Sequence, residues 1–231
     1  MQEAEFDLVA DEYAAMHARS VAASGESLEF FARYKVQDAA REAARAGVPV
    51  RRVLDFGCGI GNSLPFLHTA FPTAEVVGAD VSQRSLDIAR QRAGSDRLTL
   101  HRIEDQRLPL PDGSIDLAFT ACVFHHIPQA EHPHWLRELR RVTRPGGLLM
   151  LFEHNPLNPL TCKAVRDCPF DANAVLIHGR EMARRAAPTG WRSPRIVYRL
   201  FFPHALRFAR PLERLMVRLP LGAQYYLRAT R

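Results

Sequence analysis

Lysine is almost absent from this chain. Of its 31 basic residues only Lys35 and Lys163 are lysines; set against 25 acids, they leave a net charge of +6 carried by arginine. The arginines are scattered, and toward the C-terminus they alternate with apolar residues. That pattern reads as solvated helix faces and argues against a nucleic-acid footprint, which gathers charge on one patch. Cysteine is scarce too. Cys58, Cys122, Cys162 and Cys168 form no C-x-x-C pair, and a disulfide framework belongs to much shorter secreted chains. No apolar run reaches the ~18 residues that a membrane span needs. The acidic stretch from Met1 to Asp11 lacks the apolar stretch of a signal peptide. Repeats and low-complexity tracts are missing. The expectation is a soluble cytoplasmic protein with reduced thiols and no transmembrane segment.

What is present is a large apolar fraction, 47% of 231 residues, enough for a sizeable core. Apolar runs closing on glycine or acid alternate with helical patterns. Strands are expected at Arg51–Phe56, Glu75–Ala79, Leu98–Ile103, Ile115–Thr120 and Leu148–Glu153, and further on at Ile196–Phe202 and Ala223–Ala229. Helices are expected at Asp7–His17, Leu28–Ala46, Ser63–Phe71, Gln83–Ala93, Pro133–Val142 and Gly179–Ala187. Pro203–Leu219 reads as an amphipathic helix interrupted at Pro211, and Asn155–Pro159 as neither regular helix nor central strand. Strands alternating with helices predict a doubly wound α/β fold with a mostly parallel sheet.

The first strand, Val53-Leu54-Asp55-Phe56, runs into Gly57-Cys58-Gly59-Ile60-Gly61-Asn62. Glycines there let the backbone turn tightly and let a ligand approach it at the carboxyl end of the sheet. A dinucleotide fingerprint needs a third glycine where Asn62 stands, and Asp55 would repel a pyrophosphate. The acid suits a cation instead, such as the amino group or sulfonium side of S-adenosylmethionine. Asp80 ends the second strand about twenty residues on, where an acid meets ribose hydroxyls in doubly wound folds. A helix cap before Ser82 is its structural alternative.

From the glycine loop to the fifth strand, these residues resemble the class I S-adenosylmethionine-dependent methyltransferases. Val53–Gly61 is similar to the family's first motif and Glu75–Ser82 to its second-strand acid. Residues 104–116, E-D-Q-R-L-P-L-P-D-G-S-I-D, resemble the segment before strand four, Phe124-His125-His126-Ile127 the segment after it, and Arg144-Pro145-Gly146-Gly147 the turn before strand five. The resemblance covers roughly residues 50–153 in order and implies a seven-stranded sheet with its last strand antiparallel. It also implies site roles. Asp55, Gly57, Cys58 and Gly59 would line the methionine part of the cofactor, Cys58 through its backbone. Asp80 would hold the ribose, with Val81 against adenine. Glu104 or Asp105 would lie by the adenine amino group, and Ala121, Cys122 and His126 near the sulfonium. Tyr13 would close over the cofactor from an N-terminal helix. Tyr34 or Lys35 would reach the methionine carboxylate, unless the aromatics there only pack.

The reading is one domain over residues 1–231: a helical lid at 6–47, a cofactor-binding core at 50–153 and substrate-side elements with the C-terminal strands at 154–231. Methyl transfer needs position more than a universal catalytic residue. For a hydroxyl acceptor a base helps, and His125 (first), His126 and His154 are the candidates, their alternative being to shape the pocket. No metal is expected, because adjacent histidines point apart in a strand and Pro128 and Pro133 break helical spacing among the histidines. Residues 120–123, T-A-C-V, lack the signatures of base methyltransferases, so a small-molecule acceptor is favoured. The Phe-, Leu- and Arg-rich tail caps an apolar acceptor, meets a membrane surface, or simply packs on the sheet. The rivals are a nicotinamide-dependent oxidoreductase, an RNA methyltransferase and a non-catalytic binding protein.

Overall fold

The computed structural model describes residues 25–231, so the helix expected at Asp7–His17 and Tyr13 within it lie outside the described residues. Helix α1, Leu28–Arg45, starts where the Ser27 side chain accepts from Phe30 N at 3.2 Å and ends before Gly47, whose φ is +64°. It turns Tyr34, Val36, Ala39 and Ala43 inward. Strand β1, Arg52–Phe56, follows, then α2 (Leu64–Ala70), β2 (Glu75–Asp80), α3 (Gln83–Ala93), β3 (Leu98–Arg102) and β4 (Ile115–Ala121). Helix α4 (His132–Val142) leads into β5 (Thr143–His154). After it come α5 (Pro159–Arg166), α6 (Gly179–Ala186), β6 (Arg192–Arg199), the single turn α7 (Glu213–Met216) and β7 (Gln224–Thr230).

The seven strands lie in the order β3-β2-β1-β4-β5-β7-β6, with β7 antiparallel to both its neighbours and the rest parallel. Central strands covered on both faces are largely apolar, and β1 is buried from Val53 to Phe56 with Asp55 as its one buried acid. One face packs Leu54, Phe56, Val77 and Leu151 against Trp135, Leu136 and Leu139 of α4 and Met182 of α6. The other packs Val53, Val76, Phe119 and Phe152 against Tyr34 and Val36 of α1, Leu64 and Leu67 of α2 and Leu86 of α3. The order reverses between β1 and β4, and that switch point opens a crevice at the strands' carboxyl ends.

β6 runs over Arg192–Arg199, earlier than the expected Ile196–Phe202, and three larger departures stand beside it. β5 begins at Thr143, so the Pro145-Gly146-Gly147 turn is a bulge within the strand: Ile115 pairs Thr143, and after a register shift Leu117 pairs Leu148. Pro159 opens α5 as its first residue, with Asn158 accepting from Thr161 N at 3.0 Å, a helix start hidden among prolines. The expected amphipathic helix at 203–219 is a 3-10 segment, His204–Leu212, followed by one turn of α7. Pro211 removes a backbone donor there, and Leu206 is non-helical at φ −107°, ψ 24°. Among the described residues, no helix is long and apolar enough to cross a membrane.

Candidate active site

The three glycines after β1 meet three separate demands. Gly57 has φ +72°, and a Cβ on it would lie 2.8 Å from Val123 Cγ1 and closer still to Cγ2, so the loop after β4 can press against it only because it is glycine. A Cβ on Gly61 would sit 3.2 Å from Ala89 Cα, which keeps α3 close. Gly59, at φ +49°, is different: a Cβ there would meet nothing within 4 Å. Its backbone therefore borders open space. Gly59 N donates to Asp80 Oδ2 at 2.8 Å, and Ser82 N donates to Asp80 Oδ1 at 3.0 Å. Ser82 itself caps α3 by accepting from Ser85 N at 3.0 Å. Asp80 is thus the clasp that ties the glycine loop to β2, and the cap is Ser82.

Charge beside this loop is buried and of both signs. Asp55 is 3% exposed. Burial, and then the charge of Asp80, push its pKa up to about 7, while Lys35 pulls the other way. Lys35 projects inward from α1 and donates from Nζ to Cys122 Sγ at 3.2 Å. Cys122 follows β4 directly, in the left-handed region at φ +59°. Burial would raise its thiol, but Lys35 and His154 outweigh that and bring it down to about 7. Gln224, at the start of β7, completes the group. Its Oε1 accepts from the Tyr34 hydroxyl, and its Nε2 lies 3.4 Å from His154 Nδ1 and 4.0 Å from Cys122 Sγ.

Beyond Cys122 the chain turns around one buried carboxylate. Glu153 Oε1 accepts from Val123 N at 3.1 Å and Phe124 N at 2.8 Å, and its Oε2 lies 2.6 Å from His125 Nδ1. Val175 N donates to His125 O at 2.8 Å and so pins residues 169–175 over this turn. Asp171 then faces both histidines, with Oδ1 3.5 Å from His125 Nε2 and 3.4 Å from His126 Nε2. Burial alone would discharge His125, but the Glu153 charge and Asp171 push its pKa up to about 10. Asp171 is held well below the carboxylate range against its burial by the two histidines. Burial lowers His126. The histidines do not sit in a strand, as the sequence suggested; they lie in a 3-10 turn, Phe124–His126, with ring centroids 4.1 Å apart. Successive side chains then project roughly 120° apart rather than to opposite faces.

The chain is similar to known proteins. A methyltransferase domain profile matches residues 53–147. Trans-aconitate 2-methyltransferase of Azoarcus sp. is 33% identical over 181 residues, 74% of this chain and 66% of that one. The chain belongs to the class I S-adenosylmethionine-dependent methyltransferases. Demethylmenaquinone methyltransferase of Deinococcus radiodurans is 40% identical over 108 residues, 46% of this chain and 44% of that one. A fatty-acid O-methyltransferase of Mycolicibacterium smegmatis is 32% identical over 140 residues, 60% of this chain and 50% of that one. The matches to these two span about half the length of each relative. The crystal structure of a SAM-dependent methyltransferase from Thermotoga maritima superposes with a TM-score of 0.67 at 20% identity, covering 99% of both chains.

Within this family frame the residues singled out from the sequence fall into two groups. Asp55, Gly57, Cys58, Gly59 and Asp80 converge at the crevice with Lys35, Ala121 and Cys122. Val81 is half-buried against the core beside them. Glu104 and Asp105 are exposed, in a turn where Asp105 has φ 50° and Gln106 φ 54°. His154 lies at the end of β5, its ring centroid 5.3 Å from that of His125. Of the other histidines, His132 is a core residue, its Nε2 2.9 Å from Phe124 O and 3.0 Å from Ile127 O. Sequence reasoning missed Asp171 and Gln224. Neither stands in a motif; the polar run Glu153-His154-Asn155 at a buried strand end was the one signal that partners had to arrive from elsewhere. Asn155 fixes the proline-rich turn, donating from Nδ2 to Pro220 O at 3.1 Å and Gly222 O at 2.7 Å.

Proposed function

We propose that the chain transfers a methyl group from S-adenosylmethionine to a small, largely apolar organic acceptor. The observation that carries this is the buried pair of opposite charges, Asp55 and Lys35, beside a glycine loop whose central glycine borders open space. The amino-acid end of the cofactor carries an ammonium and a carboxylate, and Asp55 and Lys35 are their complements. Asp80 and the loop backbone receive the ribose, Val81 one face of adenine, and Glu104 or Asp105 its amino edge. Ala121, Cys122 and His126 line the sulfonium end. Asp55 beside the loop opposes a pyrophosphate, and Asn62 stands where a dinucleotide loop needs its third glycine, which disfavours the nicotinamide reading.

The cofactor supplies an activated methyl on a positive sulfur; the protein supplies alignment and dryness. Cys122 and Gln224 hold the floor of the acceptor side. For a hydroxyl acceptor, His154 is the assigned proton acceptor, because His125 is engaged by carboxylates on both ring nitrogens. Relatives named for demethylmenaquinone and fatty acids support a carbon-rich acceptor, and the one named for trans-aconitate, a tricarboxylate, supports a small molecule alone. So does the surface near the start of α1. Phe208, Leu212, Leu215 and Leu219 are exposed, with Arg207, Arg210, Arg214 and Arg218 interleaved. Such a face suits peripheral contact with an anionic membrane that carries the acceptor. The groove between α1 and β6–β7 gathers Arg41, Arg45, Arg195, Arg199, Arg214 and Arg228 against two acids, Asp38 and Glu42, which pair with Arg41, Arg45, Arg199 and Arg228. Four free thiols fit a reducing compartment such as the cytoplasm.

Calorimetric titration tests the reading. Purified protein is expected to bind S-adenosylmethionine and S-adenosylhomocysteine at one site per chain and to ignore NAD and NADP. Binding of a nicotinamide cofactor with no response to either sulfur nucleoside would overturn it.

A further inference from the structure

We propose that His125, His126 and Asp171 form a binding site for one divalent transition-metal ion beside the acceptor side of the crevice. The three side chains come from two segments 45 residues and more apart, yet His125 Nε2, His126 Nε2 and a carboxylate oxygen of Asp171 all lie within 4.8 Å of one another. The two His–Asp separations, 3.5 and 3.4 Å, are longer than the ~2.7–2.9 Å of a charge-assisted hydrogen bond. They match the edge of a tetrahedron around an ion with bonds of about 2.1 Å, which is about 3.4 Å. Both segments are pinned: the histidine turn by Glu153, and residues 169–175 by the Val175 N to His125 O bond of 2.8 Å.

The outer contacts also have the form a metal site needs. Glu153 Oε2 lies 2.6 Å from His125 Nδ1, so the carboxylate accepts from that ring's Nδ1–H, and an ion at the shared point would displace the Nε2 proton that faces Asp171 in its absence. A ligating histidine almost always has such a partner on its far nitrogen. Two imidazoles and one carboxylate select zinc, iron(II), manganese or nickel over magnesium or calcium, which prefer all-oxygen shells. Three protein ligands leave a fourth position for water or for an oxygen of the acceptor. The site borders the proposed cofactor site through His126, so zinc binding is measured without nucleoside, and none of its other geometry involves the glycine loop.

Protein stripped with a chelator and dialysed is titrated with zinc in the absence of any nucleoside, using competition with a chromogenic chelator. One zinc per chain is expected, with a higher melting temperature. Asp171→Asn and His126→Gln should each weaken zinc on the order of 100-fold, and Glu153→Gln, which touches no metal, roughly 10–100-fold. Cobalt(II) substitution should give weak visible bands without a thiolate charge-transfer band, which separates this site from Cys122. Failure to bind zinc at about 100 µM, or binding that Asp171→Asn and His126→Gln leave unchanged, overturns the proposal. Neither outcome bears on whether S-adenosylmethionine binds.

Discussion

The two halves of the sheet's carboxyl edge are made by different means. On the β2–β1 side, the crevice is mostly backbone: Gly57, Gly59 and Gly61 set the turn, and Asp80 clasps it through two N–H groups. All of it comes from residues 55–82. On the β5–β7 side, it is mostly side chains brought from afar: Tyr34 meets Gln224 across 190 residues, and Asp38 meets Arg199 across 161. A backbone cradle tolerates only a few residue types, so it can be recognised in a short stretch of sequence. A side-chain cluster can be assembled from many pairs of positions, so it becomes visible only when the chain is folded. The first half fits a ligand common to the family; the second is where individual members can differ.

The sharpest way to break this comparison is to put a side chain where the backbone half forbids one. Gly57→Ala places a Cβ in contact with both methyls of Val123 at a φ of +72°. The expected cost is about 2–4 kcal/mol of stability, with cofactor affinity lost as the loop moves. Thermal denaturation and calorimetry measure the two effects. Gly59→Ala is the contrast: its Cβ meets nothing in the protein, so its loss of stability should be the smaller while binding suffers. Equal stability losses would show that Gly59 faces no ligand space.

This division explains which parts were legible. The order of strands and helices from Arg52 to Val142 followed from periodicity and glycine or proline punctuation, because central parallel strands leave an unbroken apolar run. Asp55, Gly57, Gly59 and Asp80 were readable because their spacing in the chain mirrors their spacing in the crevice. Asp171 was not, because nothing in Pro169-Phe170-Asp171 records that it will face His125 and His126. The histidine pair itself was misjudged by taking a strand's alternation for a segment that is a 3-10 turn. The region 203–219 misled for a related reason. Its apolar spacing is helical, but Pro211 and the pull of Glu213, whose Oε1 accepts from Phe201 N at 3.0 Å and Phe202 N at 3.1 Å, hold it in tighter turns.

A pH series sharpens the comparison at Asp55, the carboxylate proposed to face the cofactor's charge. Asp55 carries a pKa of about 7 in the folded chain, raised by burial and by Asp80. A cationic ligand needs it ionised, so affinity for S-adenosylmethionine should rise about tenfold between roughly pH 6 and 8 and then level off. Stability runs the other way. A pKa raised above the unfolded value favours folding at low pH, fully below about 4, and this contribution is lost as pH rises through about 7. The ligand-free protein should therefore lose stability across that window relative to Asp55→Asn, which removes the ionisation. Calorimetry and melting curves on both proteins over the same buffers read the two opposite slopes. Parallel slopes in the two proteins would mean that another group titrates.

The smallest effect is expected at the outer rim of the side-chain half. Phe208 is 78% exposed and Leu215 84%, and neither contributes to either core. The segment that carries them is tied to the start of α1 by Arg210, whose Nη2 donates to Glu26 at 2.6 Å and whose guanidinium lies 4.8 Å from the centre of the Phe30 ring. Replacing both with serine removes exposed apolar area and no buried contact, so stability should change by less than about 0.5 kcal/mol. Cofactor affinity should stay as it is, because the glycine loop is untouched. If this face receives an apolar acceptor at a lipid surface, the double variant should sediment several-fold less with anionic vesicles, on the order of 1 kcal/mol per lost anchor. Vesicle binding that is unchanged in the variant would confine the acceptor side to the crevice, leaving the backbone half and the side-chain half to share a single pocket.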